Sequence, residues 1–222
     1  MQSETVITFF TPNLESMMRL TKVVMGWLLV LGITSLSVCT ASEPYIYRIE
    51  EDWELVINEP DPVSNSPQVT FSAFPSSGDA GSYFQLQMNY AADTEYSEGG
   101  FHVAAVQNDQ IIDENRSDMR SVLSTDGDTI RWTSIMAVID GNALFAIKDG
   151  TGTQWGEFGG PEYLVKILSS PAANLADYHP QTSLDAVDIG FGANRIASIT
   201  LREVRAYYST GDVVSVTVDR NP

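Results

Sequence analysis

An all-β fold, a two-sheet antiparallel jelly-roll sandwich preceded by a signal-peptide helix, is what this 222-residue sequence predicts. Three observations carry that reading. From residue 44 onward the apolar residues alternate or cluster in short runs, and no window of a dozen residues keeps a helical period. Turn formers separate those runs, as hairpins require. The runs are also too many for one flat sheet, whose faces and edges would stay unprotected, so two packed sheets follow.

The first 41 residues stand apart. Arg19 and Lys22 precede the apolar run "VVMGWLLVLGITSLSV", and the small-residue segment "CTAS" follows it, which is the order of a secretory signal peptide. Cleavage after Ala41 would start the mature chain at Ser42, and translation from Met17 or Met18 would give the basic region its usual length. The run falls short of the roughly 20 residues that a bilayer span needs, so an uncleaved single-pass anchor is the alternative. In that case the membrane is met only through this segment. A lipidated Cys39 would need a small residue before it, where Val38 stands.

The strands follow in order. "YIYRI" (45 to 49) and "WELVI" (53 to 57) open the domain, and "NEPDPVSNSP" bends away from them. Next come "QVTFSAF" (68 to 74), "YFQLQMNY" (83 to 90), "FHVAAVQ" (101 to 107), "QIID" (110 to 113) and "RSVLST" (120 to 125). The series continues with "TIRWTSIMAVI" (129 to 139), "ALFAIKD" (143 to 149), "YLVKIL" (163 to 168) and "AVDIGFG" (186 to 192). "IASITLREVRAYYS" (196 to 209) and "VVSVTV" (213 to 218) end it. Asn108-Asp109, Asp126-Gly127, Asp140-Gly141 and Gly211 lie between neighbouring runs as turn chemistry. Two segments are long for loops in a compact domain, "AADTEYSEGG" (91 to 100) and "SSPAANLADYHPQTSLD" (169 to 185). The second is expected to hold one helical turn at "AANLADY".

Charge narrows the partners. The chain carries 12 Lys plus Arg against 29 Asp plus Glu, a net charge of −17. The first 41 residues hold two of each sign, so the charge belongs wholly to residues 42 to 222. Such a surface repels phosphate backbones and points away from nucleic acid. Cys39 is the only cysteine, which excludes disulfides from the mature chain. One domain is the natural count for 181 residues.

At "VIDGNALFAIKDGTGTQWGEFGG" (138 to 160) and "NRIASITLREVRAYYSTGDVV" (194 to 214) the sequence resembles concanavalin A-like and laminin G-like sandwiches. The first resembles their middle strands, where an apolar strand runs into a glycine-rich turn. The second resembles their closing strand, with Ile199, Leu201, Val204 and Tyr207 as packing candidates. "IEEDWELVINEPDP" is similar to a segment of exported hypothetical proteins of Planctomycetes. The resemblance implies the sandwich fold and a binding role, with glycan or another cell-surface group as the ligand.

The candidate site residues fall into three groups. Glu50, Asp52 and Glu54 share one strand face, with Glu51, Trp53 and Leu55 on the other. Their spacing resembles the catalytic strand of laminarinase-type glycoside hydrolases, in which the first Glu is nucleophile and the last is general acid/base. That chemistry wants two carboxyls about 5.5 Å apart in a cleft. The alternative is an amphipathic first strand whose acids face water. The leading aromatic platform for a saccharide is Trp155, in a glycine-rich turn, and Phe158, Tyr96 and Tyr178 are secondary candidates. Calcium would take hard oxygen ligands from Asp126 and Asp128 or from Asp93 and Glu95. His102, in an apolar strand, and His179, in the long loop, are the only histidines, so neither a Ser-His-Asp triad nor zinc is expected. Asn115 in "NRS" matches a glycosylation acceptor. An exported recognition domain is the leading functional expectation, with a hydrolase or lyase and a structural envelope protein as alternatives.

Overall fold

The computed structural model describes residues 43–61, 63–64, 66–76, 81–89, 101–117, 125–153, 156–169 and 172–222. The expected signal segment, and the expected strand "RSVLST" except for its last residue, lie outside them. Among the described residues no helix is long and apolar enough to cross a membrane.

The chain opens with β1 (Ile46–Ile57), which joins "YIYRI" and "WELVI" into one strand. The charged stretch between them alternates as the apolar parts do, so nothing in it breaks the pleat. β2 (Gln68–Ala73), β3 (Ser82–Met88), β4 (Phe101–Gln107) and β5 (Gln110–Arg116) follow, then β6 (Thr129–Ile139) and β7 (Asn142–Gly152). β8 (Gly156–Phe158), β9 (Lys166–Ser169), the short helix α1 (Pro180–Asp185), β10 (Val187–Phe191), β11 (Ile196–Tyr208) and β12 (Val213–Arg220) complete the order. β8 has three residues, too few to show a period in sequence.

Two antiparallel sheets result. The larger runs β12-β11-β1-β6-β7-β8, with β9 sharing the outer side of β7; the smaller runs β10-β2-β3-β4-β5. β1 pairs with β11, and β2 with β10. The β1–β2 and β10–β11 connections therefore both cross between the larger sheet and the smaller, joining strands that are paired in each, the winding of a jelly roll. Asp140 and Gly141, at φ 50 and 75°, join β6 to β7, and Asn108 and Asp109, at φ 52 and 60°, join β4 to β5. Positive φ at both central residues marks type I′ turns, whose twist suits a hairpin.

The core lies between the sheets. Ile49, Trp53, Leu55 and Ile57 of β1 are all buried, on the inward face of the strand. Trp53 meets Phe71 of β2 edge-on at 5.1 Å and stacks on Trp132 of β6 at 6.3 Å. Phe84 of β3 stacks on Phe145 of β7 at 5.6 Å, and Phe101 of β4 meets Phe158 of β8 at 5.2 Å. Apart from the Trp53–Trp132 stack, which lies within the larger sheet, these contacts tie one sheet to the other along its width.

The helical turn expected at "AANLADY" is instead α1, a few residues later. Pro180 fits the first helical turn, where its missing N–H is no loss, and the His179 ring accepts from Gln181 N–H at 3.1 Å as the cap.

Candidate functional site

A shallow groove of about 500 Å³ opens at the β7–β8 hairpin, lined by Lys148, Asp149, Gly150, Thr151 and residues 157–160. Two glycines shape it. A Cβ on Gly150 would sit 2.3 Å from the Phe158 ring, and one on Gly159, at φ +95°, would sit 2.8 Å from the Lys148 backbone. Without side chains there, β8 lies close on β7, and Phe158 tucks beneath Gly150 into the core. What remains at the rim is polar: Asp149, Thr151 and Glu157 are exposed, and Lys148 is half-buried. Peptide groups, a hydroxyl, two carboxylates and an ammonium therefore surround an open volume in the size range of ligand clefts.

Phe158, expected as a ligand platform, is 7% exposed and packs on Phe101 and Tyr163. Its ring serves the core because Gly150 leaves it room. Trp155 falls in sequence within the turn between β7 and β8, and it lies outside the described residues, as do Tyr96, Asp93 and Glu95.

The acids Glu50, Asp52 and Glu54 do share the outer face of β1, and cations from the neighbouring strands hold each one. Arg205 of β11 gives Asp52 a bidentate pair at 2.6 and 2.7 Å and reaches Glu50 with Nε at 3.0 Å. Glu50 also pairs with Arg48, and with Lys148 at 3.1 Å, and its side chain is fully covered. Glu54 takes Arg131 at 2.6 Å and Arg202 at 3.7 Å. Burial works to raise the Glu50 carboxyl, yet the hydrogen bonds of Arg205 and Lys148 and the charge of Arg48 outweigh it and hold the group below its ordinary range. Asp52 is likewise raised by burial and lowered further by Arg205 and Thr133, with a net direction downward. Glu50 and Asp52, held ionised beside Arg205, make a structural ion ladder with the Glu54 pairs; a retaining hydrolase needs one partner protonated in a cleft. The solvated face expected for these acids is thus a cross-strand network linking β6, β1, β11 and β7.

Glu51 points the other way, into the sandwich, and is 9% exposed. Its carboxylate accepts from Trp53 Nε1 at 3.0 Å, Ser134 Oγ at 3.2 Å, Tyr178 OH at 2.8 Å and Ser183 Oγ. Four donors satisfy a charge that burial would otherwise make costly. Tyr178, expected as a saccharide contact, is therefore engaged in this cage. Burial, and then the negative charge of Glu51, push its hydroxyl far above the ordinary tyrosine range, so it stays a donor. The cage latches the segment carrying α1 over the sandwich, beside a cleft of about 30 Å³ lined by Ser72, Tyr178, His179 and Ser183 among others. That is space for one water, not for a ligand. Sequence alternation alone placed Glu51 on the inward face between Ile49 and Trp53, and an acid in that row was the signal for the cage.

Asp126 and Asp128 brace backbone. Asp126 Oδ1 accepts from Glu59 N–H at 2.8 Å, and the buried Asp128 accepts from Thr153 N–H at 2.9 Å. Among the described residues no group of three or more His, Cys, Asp or Glu converges as a metal would need. His102 contacts Gln87 Oε1 through Nδ1 at 2.7 Å and Glu114 through Nε2 at 2.9 Å.

The fold and these groups define an all-β, two-sheet antiparallel sandwich with an open polar groove at its β7–β8 hairpin. No family model matches the chain, and no curated protein or solved structure is significantly similar to it.

Proposed function

We propose that the chain is an exported, non-enzymatic recognition domain whose ligand is a saccharide bound at the β7–β8 groove. The observation that carries this reading is the groove itself: open, shallow and rimmed by Lys148, Asp149, Thr151 and Glu157, with glycine backbone at its floor. Sugar hydroxyls donate and accept along a flat surface, and such a rim offers both partners. Trp155 adds an aromatic face within the same hairpin by sequence, the group that pyranose rings stack on. The order of basic, apolar and small residues before Ser42 supports export. Two carboxylates at the rim favour neutral or amino sugars over uronic acids, by charge.

A glycan array probed with the purified protein tests the proposal, with calcium and with a chelator, beside Trp155→Ala and Glu157→Ala variants. Selective binding that both substitutions weaken is the expected result. Binding that survives both would move the site elsewhere, and no binding in either condition would end the saccharide reading. Loss with chelator alone would bring in a cation, for which Asp93 and Glu95 are the remaining sequence candidates.

A further inference from the structure

The far side of the larger sheet ends in β12, and among the described residues nothing pairs with its outer edge. Val213, Val214 and Val216 are 50, 47 and 51% exposed, so the strand is open on both faces until Val218, which packs against the core. Natural edge strands are blunted by charge, proline or a bulge, because an open row of N–H and C=O groups templates another strand. β12 has its bulge only at the end: Thr217 pairs with Glu203 and Arg220 with Leu201, and Asp219 takes φ 44°. From Val213 to Val218 it has no charge, proline or bulge, in a chain of net charge −17.

Its hydrogen-bond phase is fixed. Tyr208 N–H donates to the Asp212 carbonyl at 2.9 Å. Antiparallel pairs alternate between bonded and non-bonded, so Val214 and Val216 turn their peptide groups toward β11. Val213, Ser215 and Thr217 turn theirs outward.

We infer that β12 is a homodimer interface in which two copies pair antiparallel about a two-fold axis through Ser215, extending the larger sheet across both. In that register Ser215 faces Ser215 of the second copy and Val213 faces its Thr217, which matches every outward N–H and C=O from 213 to 217. On the inward face Val214 meets Val216 of the second copy, and the reverse. Asp212 faces Val218, and Asp219 lies beyond the pairing, so no like charges oppose. Other registers that keep inward faces together run into the bulge or the Gly211 turn. A second copy is favoured over an unrelated strand because the segment is self-complementary about Ser215, and because its neutral window is where two acidic molecules can approach. The patch is small, at the low end of specific interfaces below about 1,200 Å². Association is accordingly weak and reversible, and it closes at two copies without propagating. This inference stands apart from the saccharide reading, since β12 and the groove lie at opposite edges of the larger sheet.

Sedimentation velocity of the purified protein over a concentration series is the first test. It should show a monomer–dimer equilibrium that tightens from about 0.01 M to about 0.15 M salt, as the screening length falls from about 30 to about 8 Å and the mutual repulsion is damped. Ser215→Pro removes an outward N–H while sparing the bonds to β11, so it should fold and weaken the dimer about tenfold or more. Ser215→Cys places two thiols on the axis at a Cα separation of about 5.5 Å, within disulfide reach. It should cross-link on mild oxidation above the wild-type background. Val213→Cys should cross-link only when mixed with Thr217→Cys. A protein that stays monomeric at every concentration, or a dimer that ignores Ser215→Pro and does not cross-link through Ser215→Cys, would overturn the inference.

Discussion

Replacing Glu51 examines the buried cage most directly. Glu51→Ala removes the acceptor for Trp53 Nε1, Ser134, Tyr178 and Ser183 together. Tyr178 and Ser183 are half-buried and can turn to water, whereas Trp53 and Ser134 are buried and cannot. A hydrogen bond to a charged group contributes about 1.5–3 kcal/mol net of desolvation, so the two enclosed donors alone predict a loss of about 3–6 kcal/mol. That is a large share of the roughly 5–15 kcal/mol available to a domain. Glu51→Gln keeps an acceptor oxygen and the shape, and the hydroxyls can rotate to accept from its amide; the expected loss is about 1–2 kcal/mol. Urea titration followed by tryptophan fluorescence reads both, since Trp53 and Trp132 are 3 and 2% exposed and report on the core. Hydrogen exchange across residues 175 to 186 should rise in both variants, as the latch on α1 loosens. Glu51→Ala within about 0.5 kcal/mol of wild type, the range of an ordinary surface change, would refute the cage as a stabilising feature.

The ion ladder makes two further predictions. Arg205→Met leaves the covered Glu50 without its Nε partner and Asp52 without its bidentate one, so urea unfolding should show a loss of about 2–4 kcal/mol. Both carboxyls sit below their ordinary range in the folded chain. The stability they add is therefore complete above that range and falls away as pH drops through the folded values. Urea midpoints measured from pH 6 down to pH 3 should decline, and the decline should be shallower in Arg205→Met. At the groove, Gly150→Ala drives a methyl group into the Phe158 ring and should cost about 1–3 kcal/mol by thermal or urea unfolding.

Alternation made much of this fold legible. Ile49, Trp53, Leu55 and Ile57 announce an inward face, and the turn pairs Asn108-Asp109 and Asp140-Gly141 announce hairpins, because both signals are local. What the acids of β1 would meet was not local. Arg205 comes from 155 residues beyond Glu50, and Tyr178 from 127 beyond Glu51. Strand order and register decide those meetings, and neither is written in a single run. Glu50, Asp52 and Glu54 thus read as a solvated or catalytic row until β6, β7 and β11 bring their cations alongside. Phe158 read as an exposed aromatic in a glycine-rich turn, yet those same glycines are what let the ring fold inward. α1 was misplaced by a few residues because its start depends on a proline and a histidine cap, where helix-forming composition pointed to the alanines before them.

The position of β1 has a consequence for how the chain reaches this state. It is the first strand among the described residues and it lies inside the larger sheet, flanked by β6 and β11, so Glu51 bonds to Ser134 across 83 residues and Glu50 to Arg205 across 155. A chain emerging N-terminus first holds β1 with neither neighbour until β6 is made at residues 129–139, and without β11 until residues 196–208. Closure of such distant pairings is slow, in the millisecond-to-second regime of high contact order. Through that interval the apolar row of β1 waits unpaired, and its interleaved acids, with Arg48 as the one cation on the same strand, keep that row hydrated and apart from other nascent chains. The charges that brace the finished sheet thus also guard the unfinished one.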